Sequence, residues 1–178
     1  MLKDRELVER CLAGEADAFH GLVERYRDSL YRLVYRFLGN HHDALEISQE
    51  AFARAWEKLV TFDRSRSFRV WLLSVAANLS RDLLRKRKRR GLVHSDELLR
   101  GAIGEGSPAG DASEREEHER LRDAVSRLPD EKRLVVILRY FEGMSLAEME
   151  EVVGESRSTL KVRLHRARKD LLRDLDGE

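Results

Sequence analysis

Residues 145–170 read SLAEMEEVVGESRSTLKVRLHRARKD. Ser145 and Glu148 have the S-x-x-E spacing of a capping box, in which the hydroxyl takes a backbone N–H three residues on and the carboxylate reaches back. A helix is therefore expected to start at Ser145, with Leu146, Met149 and Val153 as its apolar stripe. Gly154 stops it, as glycine does just past a helix end. Ser156 then caps a second helix. Its buried face is Leu160, Leu164, Ala167 and Leu171, at spacings of four, three and four. The opposite face carries Ser158, Val162, His165, Arg166, Lys169 and Arg173, flanked by Lys161, Arg163 and Arg168. The first helix and the turn are acidic, with Glu148, Glu150, Glu151 and Glu155. Two helices at a short turn, the second one basic, predict a helix-turn-helix. Its second helix would lie in the major groove, with cations on phosphates and side chains near its N-terminal half on base edges. A basic helix in any small bundle carries similar charge. The short turn, both caps and the polarity together favour the nucleic-acid reading.

Composition limits the rest. The chain has 178 residues, 38% of them charged, with a net charge of +1. It suits one domain or two small ones. The cations concentrate in residues 81–90 and in the last helix, and acidic stretches offset them, which suggests separate surfaces for nucleic acid and for a protein partner. Cys11 is the only cysteine, so neither an intramolecular disulfide nor a cysteine-based zinc site is available. No apolar run approaches the ~18 residues of a membrane span, and the charged N-terminus lacks a signal-peptide core. A cytoplasmic protein is expected. Two prolines and no β-alternation point to an all-α fold.

The periodicity predicts helices over 2–12, 16–38, about 43–59 and from Ser67 to about residue 90, sharing one core. In the second, Phe19, Leu22, Val23, Tyr26, Leu30, Leu33, Val34 and Phe37 face inward. In the third, Ala44, Ile47, Ala51, Phe52, Ala55 and Leu59 do so. In the fourth, Trp71, Val75 and Leu79 share one stripe, so Trp71 is read as core. Residues 91–113 read as a linker, mostly acidic, with 98–103 as a brief helical turn. Ser113 caps a charged helix with Leu121, Ala124, Val125 and Leu128 inside, and Pro129 ends it. Asp130 opens another that buries Leu134, Val135, Leu138 and Phe141 and stops at Gly143. Two small helical domains, 1–90 and 114–178, follow, joined by the 91–113 linker.

Two stretches carry a resemblance. DALEISQEAFARAWEKLVTFDRSRSFRVWLLSVAANLSRDLLRKRKRR (43–90) resembles region 2 of bacterial RNA polymerase sigma factors of the extracytoplasmic-function (ECF) group, within the sigma-70 family. LPDEKRLVVILRYFEGMSLAEMEEVVGESRSTLKVRLHRARKDL (128–171) resembles region 4. They stand in the family's order, and the likeness spans roughly residues 4–175. One departure is Leu45-Glu46, where the family usually has two acidic residues.

The resemblance implies roles. Region 2 would dock on the clamp of the largest subunit of core RNA polymerase through Asp43, Glu46, Gln49, Glu50 and Glu57; an acidic and amide face suits a basic helical partner. The loop Thr61–Arg66 and the following helix would recognise and melt the −10 element through Phe62, Arg64, Arg66, Arg69, Asn78 and Arg81. An extruded base costs a few kcal/mol, and stacking and cationic contacts offset this. Arg85, Lys86, Arg87 and Lys88 would hold duplex phosphates, and Arg163 and Arg168 would touch phosphates or brace the domain. Arg157, Ser158, Lys161, Val162, His165 and Arg166 would meet the −35 element. The linker would thread into the polymerase near the nascent RNA path. Promoter DNA, core polymerase and an anti-sigma factor are the implied partners, with no small-molecule substrate.

Other classes fit less well. A stand-alone helix-turn-helix regulator has no need of a melting loop beside an acidic docking helix. His41, His42, Asp43 and Glu46 invite a metal reading, but the chain has no H-E-x-x-H motif or partner cluster. Neither a nucleophile-base pair nor a phosphate-binding glycine loop is present, so an enzyme is not expected, nor a metal or cofactor.

Overall fold

The structure, a computed structural model, describes residues 3–91 and 112–176. Among these it is all helical. In the N-terminal unit, α1 spans Asp4–Leu12, α2 Asp17–Leu38, α3 His41–Lys58 and α4 Phe68–Arg89, with a 3-10 turn at Leu59–Thr61. In the C-terminal unit, α5 spans Ala112–Arg127, α6 Asp130–Val136, α7 Leu146–Val153 and α8 Arg157–Asp176. A π turn, Ile137–Phe141, extends α6. All of the expected linker except its end residues lies outside the described residues, including the turn expected at 98–103.

Helix starts follow local chemistry. α3 begins two residues before the expected Asp43, because the Asn40 side chain accepts the Asp43 N–H at 3.0 Å and caps the first turn. Ser67 caps α4 through the Val70 N–H. α5 is described from Ala112, one residue before the expected cap Ser113. α1 is tied to α2 by Asp4, which takes both Arg25 and the Tyr26 hydroxyl.

The inward residues expected for α3 are buried, and in α2 Leu22, Leu30, Leu33, Val34 and Phe37 are fully so. Two expected core residues are exposed instead. Leu121 is 38% exposed and Phe141 39%. The π turn accounts for Phe141. Glu142 N–H bonds back to the Ile137 carbonyl at 3.1 Å, one residue wider than an α turn, and this rotates Tyr140 and Phe141 outward. Met144 is fully buried in the same segment.

The two units pack on one another. α4 lies along α7, and α2 lies along α6 and the π turn. Buried side chains of both form one continuous apolar core, from Leu22 and Phe37 to Met149 and Leu160. The Arg133 guanidinium of α6 sits 5.4 Å from the centre of the Phe37 ring of α2. α4 is apolar on two sides, with Leu72, Leu73, Ala76, Ala77 and Leu79 all buried. That is the pattern of a helix covered twice.

Candidate nucleic-acid and polymerase interfaces

The last two helices have helix-turn-helix geometry. Ser145 and Glu148 close the capping box, with the Glu148 N–H on the serine oxygen at 3.2 Å and the Ser145 N–H on the carboxylate at 2.8 Å. The Ser145 N–H and the Ser145 hydroxyl, both donating to the Glu148 carboxylate at 2.8 Å, hold it below the usual range. Gly154 has φ 77°, a left-handed cap that a β-carbon would strain. Ser156 accepts the Thr159 N–H at 3.3 Å and starts α8. Leu160, Leu164 and Ala167 bury one face of α8. The other face presents Arg157, Ser158, Lys161, Val162, His165, Arg166 and Arg168 to solvent. Among the described residues, Lys161, His165, Arg166 and Arg168 form no ion pair. Arg157 reaches Glu150 at 2.8 Å. Arg163 is different. It is largely buried and bridges Glu155 at 2.7 Å and Glu131 at 3.3 Å, which braces α8 against α6.

In the N-terminal unit, Phe62 is not on the loop surface as expected. It is turned inward, with its ring 4.7 Å from that of Trp71 and 5.7 Å from that of Phe68. Burying an aromatic beside two others removes more apolar surface from water than the loop could otherwise hide. Trp71 packs partly buried against the core, as its periodicity implied. Arg64 is exposed. Arg66 donates to Glu151 at 2.6 and 3.0 Å. Arg69 donates to the Glu142 carboxylate at 2.8 Å and to the Glu142 carbonyl at 3.0 Å. Arg81 donates to the Val153 carbonyl at 3.2 Å and to the Asn78 side chain at 2.6 Å. Burial lowers the Arg81 pKa.

The basic run at the end of α4 divides. Lys86 is exposed, and Arg85 pairs with Asp82 at 3.2 Å. Lys88 reaches Asp130 of α6 at 2.8 Å. Arg87 makes a bidentate pair with Asp43, at 2.6 and 2.7 Å. The Asp43 carboxylate is only 8% exposed. Asp43 and Arg87 were expected on a protein face and a phosphate face. Here they join α3 to α4, because a buried carboxylate needs a close cation. The same bond answers the metal reading. His42, Asp43 and Glu46 approach within 4.8 Å, but both Asp43 oxygens are already held by Arg87.

Glu46, Gln49, Glu50 and Glu57 remain exposed on α3. Glu46, Gln49 and Glu50 form one wall of a groove whose other wall is Asp82, Leu83 and Lys86 of α4, with Ile47 and Leu79 between. Sequence periodicity offered no route to this second wall, because the face that α4 turns to α3 depends on tertiary packing.

Residues 22–90 match the Sigma-70 region 2 family and residues 118–171 the Sigma-70 region 4 family. The chain belongs to the sigma-70 family of RNA polymerase sigma factors. Its relatives place it in the ECF group. It is 34% identical to the ECF RNA polymerase sigma factor SigW of Bacillus subtilis, over 98% of each chain. It is 37% identical to the ECF RNA polymerase sigma factor BldN of Streptomyces coelicolor, over 97% of this chain and 66% of that one. Among solved structures, CnrH in complex with the cytosolic domain of CnrY superposes with a TM-score of 0.73 at 30% identity, covering 98% of both chains. The sigma factor RpoE of Bartonella quintana, in complex with the anti-sigma factor NepR, shares the fold at 21% identity, with a TM-score of 0.74 over 89% of this chain and 96% of that one.

The chain is therefore a transcription-initiation factor and not an enzyme. It gives core RNA polymerase its promoter specificity, and the polymerase does the bond-making chemistry. No described helix is long and apolar enough to cross a membrane.

Proposed function

We propose that this sigma factor divides its promoter between its two units, with residues 1–90 serving the −10 element and polymerase docking and residues 114–178 serving the −35 element. The outer face of α8 carries this reading. Ser158, Lys161, Val162, His165 and Arg166 stand exposed together on the N-terminal half of a helix that follows a capped turn, the placement a major-groove reader needs. Arg166 and Lys161 supply charge and bidentate or phosphate contacts, and Val162 offers an apolar contact for a thymine methyl. Arg157 joins them on leaving Glu150.

In the N-terminal unit, Arg64, Arg66, Arg69, Asn78 and Arg81 line the −10 face, and Lys86 with Arg85 and Lys88 holds upstream phosphates. Glu46, Gln49, Glu50 and Glu57 dock on the polymerase clamp, and the adjoining α4 wall shapes their groove. Asp43 and Arg87 act by fixing α3 to α4. The chain works in the cytoplasm, where the polymerase is. An anti-sigma factor is a further partner: CnrH, of nearly the same length, is solved bound to another protein.

The test is run-off transcription. Core polymerase, this protein and a pool of randomised promoter fragments are mixed, and the transcribed fragments are sequenced. Two enriched motifs at a fixed spacing upstream of the start are expected. Tight duplex binding without transcripts would refute the assignment of the N-terminal unit.

A further inference from the structure

Arg32 and Arg36 lie four residues apart on α2, so they share one face of the helix. The Arg36 guanidinium sits over the Phe141 ring, 4.7 Å from its centre. The π turn that carries Phe141 outward puts the ring there, and such turns are frequent at functional sites. Arg122 of α5 stands close enough to Arg36 for their charges to repel. One carboxylate, Glu142, faces Arg36, and it is engaged elsewhere. Its Oε2 takes Arg69 at 2.8 Å, whereas its Oε1 lies 3.8 Å from Arg36, beyond hydrogen-bond distance. Arg32 and Arg122 have no ion-pair or hydrogen-bond partner among the described residues. Burial lowers the Arg36 pKa, Glu142 opposes that shift, and the charges of Arg32 and Arg122 add to it.

We propose that Arg32, Arg36 and Arg122 form an anion site that takes a diphosphate group, either free or as part of a nucleotide. Gathering like charges around a partly desolvated guanidinium is unfavourable unless an anion neutralises them. The planar guanidinium fork matches phosphate oxygens. A phosphate monoester carries about −1.5 to −2 charges near pH 7, which two guanidiniums already balance. A diphosphate carries more charge and has oxygens enough to reach α2 and α5 together. Phe141 holds the Arg36 plane in place beforehand, so less freedom is lost on binding. Tyr140, its neighbour in the π turn, is 55% exposed and offers a nucleobase an aromatic surface. The inference is independent of the promoter assignments above, because none of the three arginines belongs to the −10, −35 or polymerase sets.

The experiment is calorimetric titration of the full chain, at fixed ionic strength, with inorganic phosphate, inorganic pyrophosphate and ADP in separate arms. Pyrophosphate or ADP is expected to bind at one saturable site per chain, and more tightly than phosphate. Tighter binding of ADP than of pyrophosphate would assign the diphosphate to a nucleotide, and the reverse order to a free diphosphate. Arg32→Gln with Arg122→Gln should weaken pyrophosphate binding by about tenfold or more, since each removes a hydrogen bond between charged groups. Arg5→Gln with Arg27→Gln removes equal charge from the exposed surfaces of α1 and α2, where both arginines pair with glutamates, and should change it by less than about twofold. Thermal melts supply a second readout. Without ligand, the Arg32→Gln, Arg122→Gln variant should melt no lower than the parent, because it relieves the repulsion on Arg36, whereas pyrophosphate should raise the melting temperature of the parent more than that of the variant. Absence of saturable binding in all three arms would overturn the site. So would equal weakening in the control variant, or a ligand-free variant that melts lower than the parent, which would make the arginines structural.

Discussion

The cations of the two units live in opposite surroundings. On α8, Lys161, His165, Arg166 and Arg168 face water without ion-pair partners among the described residues. On α4 and the loop before it, Arg66, Arg69, Arg81 and Arg87 each hold an oxygen acceptor at hydrogen-bond distance. Both sets are basic residues, so composition alone does not tell them apart. Their partners separate them into two functional states. Under the roles proposed above, the cations of α8 are free to meet the −35 element, whereas those proposed for the −10 element are held by the chain's own oxygen acceptors. Arginine's delocalised, weakly hydrated fork explains why it serves at both kinds of site.

The largest expected effect tests that division at the end of α4, where neighbouring cations differ most. Arg87→Ala leaves the buried Asp43 carboxylate without its cation and should lower the unfolding free energy by about 3 kcal/mol, since stranding one partner of a buried pair is costly. Lys86→Ala, one residue away and exposed, should change it by less than about 0.5 kcal/mol. Urea unfolding of the two variants decides the matter. If both behave like the parent, Arg87 is not structural and returns to the phosphate-contact set.

The next effects separate reading from bracing within α8. Arg166→Ala should weaken −35 duplex binding by about 1–3 kcal/mol and leave affinity for core polymerase unchanged. Arg163→Ala removes the link between Glu155 and Glu131 and should destabilise the C-terminal unit by about 1–2 kcal/mol. Duplex titration and thermal melting distinguish them. Arg166→Ala is expected to shift only the first, Arg163→Ala chiefly the second. Loss of both polymerase and duplex binding in Arg166→Ala would mean that the change unfolds the unit, and would break the contrast between exposed and bracing cations.

Much of this architecture could be read from the chain because its signals are local. Capping residues, left-handed glycines and the helical period of Leu160, Leu164 and Ala167 act within a few residues, so α2, α3, α7 and α8 were legible without tertiary information. The site was only partly so. The exposed face of α8 follows from the same periodicity that buries its other side. Asp43, Phe62 and Arg87 sit elsewhere than expected for a common reason: each has a partner distant in sequence or hidden in a loop, as Asp43 and Arg87 show across 44 residues. The second covered face of α4 does leave a mark in the sequence. α4 carries apolar residues on two faces, Leu72 and Ala76 on one and Leu73 and Ala77 on the other, which is more than a helix covered on one side requires. The outward turn of Phe141 had no such sign, because a π turn changes the period within an ordinary apolar sequence.

The smallest effect sharpens the comparison from the acidic side, where α7 supplies Glu151 and the Val153 carbonyl to the N-terminal unit. Ser145→Ala removes the hydroxyl that caps α7 and should cost about 1 kcal/mol. The Glu148 half of the box titrates. Its folded pKa lies below its ordinary value, because the backbone N–H and the hydroxyl of Ser145 bond the charged form. The folded state therefore binds the proton less readily than the unfolded state does. The stabilisation from Glu148 is fully present above the unfolded pKa, near the ordinary carboxylate value, and is lost as pH falls through the lower folded pKa. Glu148→Gln keeps a side chain able to bond the Ser145 N–H but removes the titration. Parent and variant should thus differ in stability at neutral pH and converge in acid, as followed by thermal melts across the carboxylate range. A gap that stays constant through that range would show that the Glu148 charge contributes nothing to the cap.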